Sequence, residues 1–161
     1  MRFKKAVEMA KPPLPHSYRQ GLQALQGYAK KVACHRPVKA TITGSVDLDS
    51  SLAKEPEHAS ANRWDYGIGY KPAAGRECTV WIEVHGAKDR EIGTVVRKAR
   101  WLKEYLKHNA PDLWQLTLAS PDSLRYVWLG TKGVHIPRHS PEYRRAAQEG
   151  ITLHGTVLNL P

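Results

Sequence analysis

The stretch WDYGIGYKPAAGRECTVWIEVHGAK, from Trp64 to Lys88, contains two apolar runs that each carry one carboxylate. Their alternating pattern predicts two strands joined by a turn-rich loop, because successive side chains of a strand point to opposite faces of the sheet. Asp65 and Glu83 then lie on a different face from most of the apolar side chains around them. A hairpin centred on Ala74 places these two acids directly opposite each other.

The opposed acids need a physical explanation, because like charges facing each other across two strands cost about 0.2–1 kcal/mol. A divalent metal removes the conflict, since Mg²⁺ is commonly held by one or two carboxylates and water. His85 follows on the same face, and Gly67 and Gly69 predict an open surface there. A register slip of one residue would remove the pairing. The acids could also form ordinary ion pairs with nearby basic residues, namely Arg63, Lys71 and Arg76.

The composition predicts a folded chain with an anionic partner. Its 161 residues suggest one domain, and 25 Lys and Arg against 15 Asp and Glu give a net charge of +10. Such a charge favours nucleic acid first and an anionic membrane surface second, unless it only reflects a basic proteome. The sequence has no apolar run of about 18 residues and no signal-like segment, so we expect no membrane span and a cytoplasmic location. It leaves open whether the chain forms a homo-oligomer.

The predicted domain organisation is an irregular arm at residues 1–16 and a single globular domain at 17–161. Within that domain we expect a core at 17–120 and a strand–helix–strand extension at 121–161. The fold class is α/β (α+β), with a mixed central sheet flanked by helices. The predicted elements are a helix at 17–32, strands at 38–48, 63–70 and 78–85, a helix at 89–111, strands at 113–120 and 124–130, a helix at 140–150 and a strand at 151–160.

This α-β-β-β-α-β order, together with Asp65 opening one strand and Glu83-x-His85 in the next, resembles the PD-(D/E)XK nuclease superfamily, also called restriction-endonuclease-like. The resemblance covers roughly residues 17–120. It implies that Asp65 and Glu83 bind Mg²⁺ or Mn²⁺. It also implies that the basic residue two positions after the Glu helps to activate the attacking water.

The chain departs from the family pattern at that basic residue, because His85 stands where the family has a lysine. Histidine can act as a general base near neutral pH. Lys88, just past the strand, and Lys98, in the following helix, are alternative replacements. The sequence also lacks the proline that precedes the Asp in the motif, and the predicted first helix lacks the glutamate that many members contribute.

The resulting hypothesis is a metal-dependent nuclease that hydrolyses phosphodiester bonds of nucleic acid. Its predicted catalytic residues are Asp65, Glu83 and His85, and its predicted Mg or Mn ligands are Asp65 and Glu83. The basic side chains expected to contact the nucleic-acid backbone are Lys132, Arg138, Arg144, Arg145, Arg97 and Arg100.

Two other functions stay open at this point. One is a catalytically inactive, nuclease-like module that binds nucleic acid or protein, which the replacement at His85 favours. The other is an enzyme for small molecules that uses Glu83 and His85 as an acid–base pair without metal. Asp47 and Asp49, at the end of the predicted first strand, could extend an acidic site, although such residues are more often turn formers.

Overall fold

The fold is a mixed sheet with helices on it, and the structure, a computed structural model, describes residues 1–34 and 41–161. Its strands are β1 (Arg19–Gln20), β2 (Val32–Cys34), β3 (Thr41–Asp47), β4 (Tyr66–Lys71), β5 (Cys78–Ala87), β6 (Tyr126–Val134), β7 (Ile151–His154) and β8 (Leu158–Leu160). Its α-helices are α1 (Phe3–Glu8), α2 (Leu48–Leu52), α3 (Ile92–Asn109), α4 (Pro111–Leu118), α5 (Asp122–Arg125) and α6 (Pro141–Gln148). Short 3₁₀ helices lie at Leu14–Ser17, Gln23–Lys31 and Asp89–Glu91.

The main sheet has six strands in the order β1-β3-β4-β5-β6-β7. The neighbouring pairs β1–β3, β3–β4 and β4–β5 are antiparallel, whereas β5, β6 and β7 run parallel to one another. Strands β2 and β8 form a separate parallel pair. Parallel neighbours require a crossover connection, which α3 and α4 supply between β5 and β6, and α6 between β6 and β7. The predicted mixed sheet with flanking helices is confirmed.

The hairpin of β4 and β5 has the register that the sequence predicts, since Tyr66 pairs with Ile82 and Tyr70 with Cys78. Alternation along the strands sorts their side chains between two apolar clusters. Ile82 belongs to the cluster on one face, whereas Trp81 and Trp128 belong to the cluster that also contains the buried side of α3. Both faces of the central strands are therefore covered, and neither is the solvated face that ordinary ion pairs would need.

The long helix α3 is confirmed, although its first predicted turn, Asp89–Glu91, is a 3₁₀ turn. The sequence of this helix places apolar residues at helical spacing, which form an apolar stripe along it, and all of them are buried, namely Ile92, Val95, Val96, Ala99, Leu102 and Leu106. A stripe of this kind binds a helix to a sheet through removal of apolar surface from water. Neither α3 nor any other helix in the described ranges is both long and apolar enough to cross a membrane.

The N-terminal prediction is wrong in two respects. The segment at 1–16 is not irregular, because it contains helix α1, whose Phe3 and Val7 are fully buried against the sheet. The predicted helix at 17–32 is instead a strand, β1, and a 3₁₀ segment. Gly21 has a φ of +56° and Gln26 a φ of 48°, and both values interrupt right-handed helical geometry.

The prediction for 113–120 is also wrong, since this segment is helix α4. Pro111 occupies its first turn, where a missing N–H costs nothing, and Leu113, Leu116 and Thr117 are buried at helical spacing. The fourth strand of the predicted α-β-β-β-α-β order is therefore β6, which lies in the region assigned to the extension at 121–161. The segment at 151–160 forms two strands, and residues 38–40 of the first predicted strand lie outside the described residues.

The two glycines of β4 do not leave an open surface, because large side chains cover them. A Cβ on Gly67 would lie 2.6 Å from Cζ3 of Trp81, and a Cβ on Gly69 would lie 2.5 Å from two atoms of Phe3. The predicted free surface is therefore wrong. These glycines allow aromatic side chains to pack directly on the backbone of the strand.

We expect Gly67→Ala to lower the free energy of unfolding by about 1–3 kcal/mol, because the methyl group overpacks the buried Trp81 ring. Urea denaturation followed by tryptophan fluorescence measures this change. Gly27→Ala is the matched control, since a Cβ on Gly27 meets nothing within 4 Å. Equal stability of the two variants would contradict this packing.

Candidate active site

Asp65 and Glu83 meet where β4 begins, and each carboxylate is held by the backbone of the other strand. The Asp65 N–H donates to Oε2 of Glu83 at 3.2 Å, and the Val84 N–H donates to Oδ2 of Asp65 at 3.0 Å. Glu83 has no exposed surface, and the side chain of Asp65 is 20% exposed. The hairpin register and these reciprocal bonds place the two acids face to face, as the sequence predicts.

Lys98 completes the cluster from helix α3. Its ammonium group donates a hydrogen bond to Oε1 of Glu83 and lies 3.8 Å from Oδ1 of Asp65. The lysine lies at the edge of the apolar stripe, one turn from the buried Val95 and Leu102, so its side chain is carried toward the sheet. The cluster therefore contains one cation and two carboxylates, and its three members come from β5, α3 and the residue before β4.

Burial dominates the electrostatics of this cluster. It raises the pKa of Glu83 to about 8, with a further contribution from the negative charge of Asp65, and Lys98 only partly opposes both effects. Burial likewise raises the pKa of Asp65 against the opposing effect of Lys98. Burial by itself lowers the pKa of Lys98, but the attraction of the two carboxylates outweighs it and the net shift is upward. A second cation would stabilise both acids in their ionised form.

His85 lies beside the cluster but contacts another residue. Its Nε2 is 2.8 Å from Oε2 of Glu91, in the 3₁₀ turn before α3. This hydrogen bond lowers the pKa of Glu91. The backbone oxygen of His85 accepts a hydrogen bond from Nε1 of Trp128 at 3.1 Å. Lys98, and not His85, therefore has the contact with Glu83.

Asp49 approaches the cluster from helix α2, whereas Asp47 has a local role. The Asp47 side chain accepts from the Ser50 N–H at 2.9 Å and caps α2, as expected of a turn former. The Asp49 N–H donates to the backbone oxygen of Asp65, and Oδ1 of Asp49 lies 2.9 Å from Nε of Arg63. The charge of Asp49 contributes to the raised pKa of Asp65. A third carboxylate thus stands near the pair, in an ion pair with Arg63.

The donor set can be compared with the needs of a metal ion. No group of three or more His, Cys, Asp or Glu side chains within residues 1–34 and 41–161 has a metal-holding arrangement. Mg²⁺ and Mn²⁺ accept carboxylate oxygens, and Mg²⁺ commonly takes one or two of them with the remaining positions filled by water. Asp65 and Glu83 fit that requirement by their chemistry and their shared location. Lys98 already supplies a cation at the same oxygens.

The six predicted nucleic-acid contacts are all exposed, but they do not form one cluster. Helix α6 packs beside α3 and brings Arg145 close to Arg97, since Nη1 of each lies within 4 Å of a Cβ placed on Gly93. Arg100 instead donates from Nε to Oε2 of Glu149 at 3.1 Å, and Arg144 donates to the backbone oxygen of His139. The remaining two, Lys132 and Arg138, belong to β6 and to the segment between β6 and α6.

The buried acid predicts a pH dependence of stability that differs from that of Glu83→Gln. The folded-state pKa of Glu83 is about 8 and exceeds its ordinary value of 4.5, so the folded state holds the Glu83 proton more tightly than the unfolded state does. The stability that this proton contributes to the folded state is fully present below pH 4.5 and is lost as pH rises through 8. From about pH 5 to about pH 9 we expect the unfolding free energy of the wild type to fall by about 2–4 kcal/mol relative to Glu83→Gln.

Urea denaturation in EDTA over this pH range measures the difference. Glu57→Gln is the control, since the side chain of Glu57 is 87% exposed, and its curve should stay parallel to that of the wild type. A Glu83→Gln curve that is also parallel would contradict the raised pKa.

Asp65 and Glu83 come together as the sequence predicts, His85 lies next to them, and Lys98 makes the direct side-chain contact with Glu83. The sequence signal for Lys98 was its place at the edge of the apolar stripe, one helical turn from residues that face the sheet. The chain matches no family model, and neither curated proteins nor solved structures include a match to it.

Proposed function

We propose that this protein is a metal-dependent nuclease, a divergent member of the PD-(D/E)XK superfamily that hydrolyses phosphodiester bonds of nucleic acid. The observation that carries the proposal is the cluster of Asp65, Glu83 and Lys98. Two opposed carboxylates at a hairpin and a lysine from the next helix supply the residue types of the motif, although the lysine comes from a different element. Leaving aside helices α2, α4 and α5, the order β3-β4-β5-α3-β6 agrees with the strand–strand–strand–helix–strand part of the family core.

In this proposal Asp65 and Glu83 hold Mg²⁺ or Mn²⁺. A bound ion of this kind polarises a phosphoryl oxygen and makes water a stronger nucleophile. Lys98 acts as a hydrogen-bond donor, because the two carboxylates favour its charged form. A charged ammonium group beside Glu83 can orient a water molecule or stabilise negative charge on the phosphate.

His85 has a separate role in the proposal. With Nε2 bonded to Glu91, its other ring nitrogen, Nδ1, is the one available to a substrate oxygen or to water. The carboxylate of Glu91 fixes the position of the ring, as a carboxylate partner does for other functional histidines. His85 would therefore steady the phosphate or accept a proton beside the metal, and not replace Lys98.

The net charge of +10 supports nucleic acid as the partner, since a basic protein attracts a polyanion over a long range. A cytoplasmic location belongs to the same proposal, because nucleic acid is accessible there.

The proposal is tested by incubating the protein with plasmid DNA, single-stranded DNA and RNA in Mg²⁺, Mn²⁺ or EDTA. Cleavage of at least one substrate that requires the metal supports it. Cleavage that persists in EDTA, or no cleavage of any substrate, overturns it. Salt-dependent binding without cleavage would instead identify the inactive, nuclease-like binding module.

A further inference from the structure

Two arginines from different helices converge over the first turn of α3. Gly93 is the second residue of that helix, and a Cβ placed on it would lie 3.4 Å from Nη1 of Arg97 and 3.9 Å from Nη1 of Arg145. Arg97 is one turn further along α3, whereas Arg145 reaches across from α6. Both guanidinium groups thus lie within 4 Å of the same point above a residue without a side chain.

These two cations have no carboxylate partner in the described part of the chain. Nη2 of Arg97 donates to Oγ1 of Thr94 at 3.3 Å, and neither arginine forms an ion pair there. The arrangement differs one turn later, where Arg100 and Lys103 share the carboxylate of Glu149. Two like charges held together without a counter-ion repel each other, so the place where they converge favours an anion.

The chemistry of that anion follows from the donors. Guanidinium groups present planar pairs of N–H donors that match phosphate oxygens, and two of them can grip one phosphate from two sides. Gly93 leaves room for the phosphate to approach the backbone. The point also lies at the positive end of an 18-residue helix, which adds to the attraction.

The net charge of +10 favours nucleic acid as the source of the phosphate, and the clamp shares helix α3 with the candidate active site. Arg97 precedes Lys98, and neighbouring side chains on a helix project about 100° apart. Lys98 points to the buried carboxylates, so Arg97 points to the adjacent outer surface. The clamp therefore lies on the same helix as Lys98 but on a different face of it, toward α6.

We infer that Arg97 and Arg145 form a clamp for a backbone phosphate of nucleic acid outside the candidate active site, an inference that rests on the proposed nuclease function. The clamp fixes the strand against α3 and α6, and it contributes to binding without the metal. Free phosphate should occupy it weakly, because a single dianion lacks the neighbouring phosphates that a strand presents to the other basic residues.

The decisive experiment places a carboxylate of the protein itself in the clamp. Gly93→Glu supplies that carboxylate, and Gly93→Gln is its uncharged control of equal size. Binding of fluorescein-labelled DNA and RNA oligonucleotides is measured by anisotropy in EDTA over a series of KCl concentrations. We expect Gly93→Glu to bind about tenfold more weakly than Gly93→Gln. The salt slope, which is the steepness with which the logarithm of the binding constant falls with the logarithm of the KCl concentration, should be lower by about 1–2 units.

A pair of double variants supplies the second measurement. Arg97→Gln/Arg145→Gln should lower the salt slope by about 2 units, and the control Lys4→Gln/Lys30→Gln, which removes the same charge from exposed positions elsewhere, by less than about 1 unit. Thermal unfolding shows whether each variant is folded, and inorganic phosphate as a competitor should displace the oligonucleotide only at high concentration.

The outcomes separate the clamp from the proposed function. If the wild type binds and cleaves but both clamp variants behave like their controls, the clamp is wrong and the nuclease stands. If inorganic phosphate competes as well as an unlabelled oligonucleotide, the site is one for free phosphate and the inference is overturned. If the wild type neither binds nor cleaves any nucleic acid, the proposed function fails, and the clamp fails with it.

Discussion

Glu83→Gln should reduce metal-dependent cleavage of nucleic acid by roughly a thousandfold, which corresponds to about 4 kcal/mol of transition-state stabilisation. The substitution keeps the size of the side chain and replaces one carboxylate oxygen by an amide group. The amide can still accept the N–H of Asp65, so the hairpin is retained. The substitution also removes the negative charge that a divalent ion would require at Glu83, which is the fully buried carboxylate of the cluster.

The measurement is the initial rate of cleavage at saturating Mg²⁺ and at saturating Mn²⁺, with Glu57→Gln as the matched control. The far-UV circular dichroism spectrum and the midpoint of thermal unfolding establish that Glu83→Gln is folded. Anisotropy in EDTA should give nearly the same oligonucleotide affinity for the variant and the wild type. An active, folded Glu83→Gln would exclude the buried acid as a metal ligand.

Lys98→Met should abolish cleavage and also lower the free energy of unfolding, by about 3 kcal/mol at slightly alkaline pH. Methionine retains most of the length of the side chain but removes the cation between the two acids. Glu83 and Asp65 would then face each other without compensation, one of them with no access to water. The loss should increase with pH, because Glu83 escapes part of the cost by remaining protonated at lower pH.

A double-mutant cycle distinguishes this electrostatic effect from lost packing. In Glu83→Gln/Lys98→Met the isolated charge is gone, so the double variant should be more stable than Lys98→Met at alkaline pH. Lys107→Met, at an exposed position on the same helix, controls for the substitution itself. If the two substitutions destabilise additively in urea, the ion pair of Lys98 and Glu83 does not contribute to stability.

The hairpin shows how far local pattern extends. Strand alternation and a turn-rich loop set the register of β4 and β5, so the opposition of Asp65 and Glu83 followed from the residue numbers alone. Helix α3 could be predicted from the sequence equally well, because its apolar stripe continues over several turns. Short segments could not be predicted in this way. The apolar residues at 113–120 fit either a strand or a helix, and it is Pro111 and the packing of Leu113 and Leu116 that select the helix.

The sequence by itself therefore determined the mixed fold class, the hairpin, the long helix, and the two acids on one face. Only the tertiary structure decided which cation joins them and which arginines meet. Lys98 reaches Glu83 because α3 packs across the sheet, and Arg145 reaches Arg97 because α6 packs beside α3. Both contacts join residues from different elements, and the distance between such elements depends on the packing of the whole core, which no local periodicity encodes.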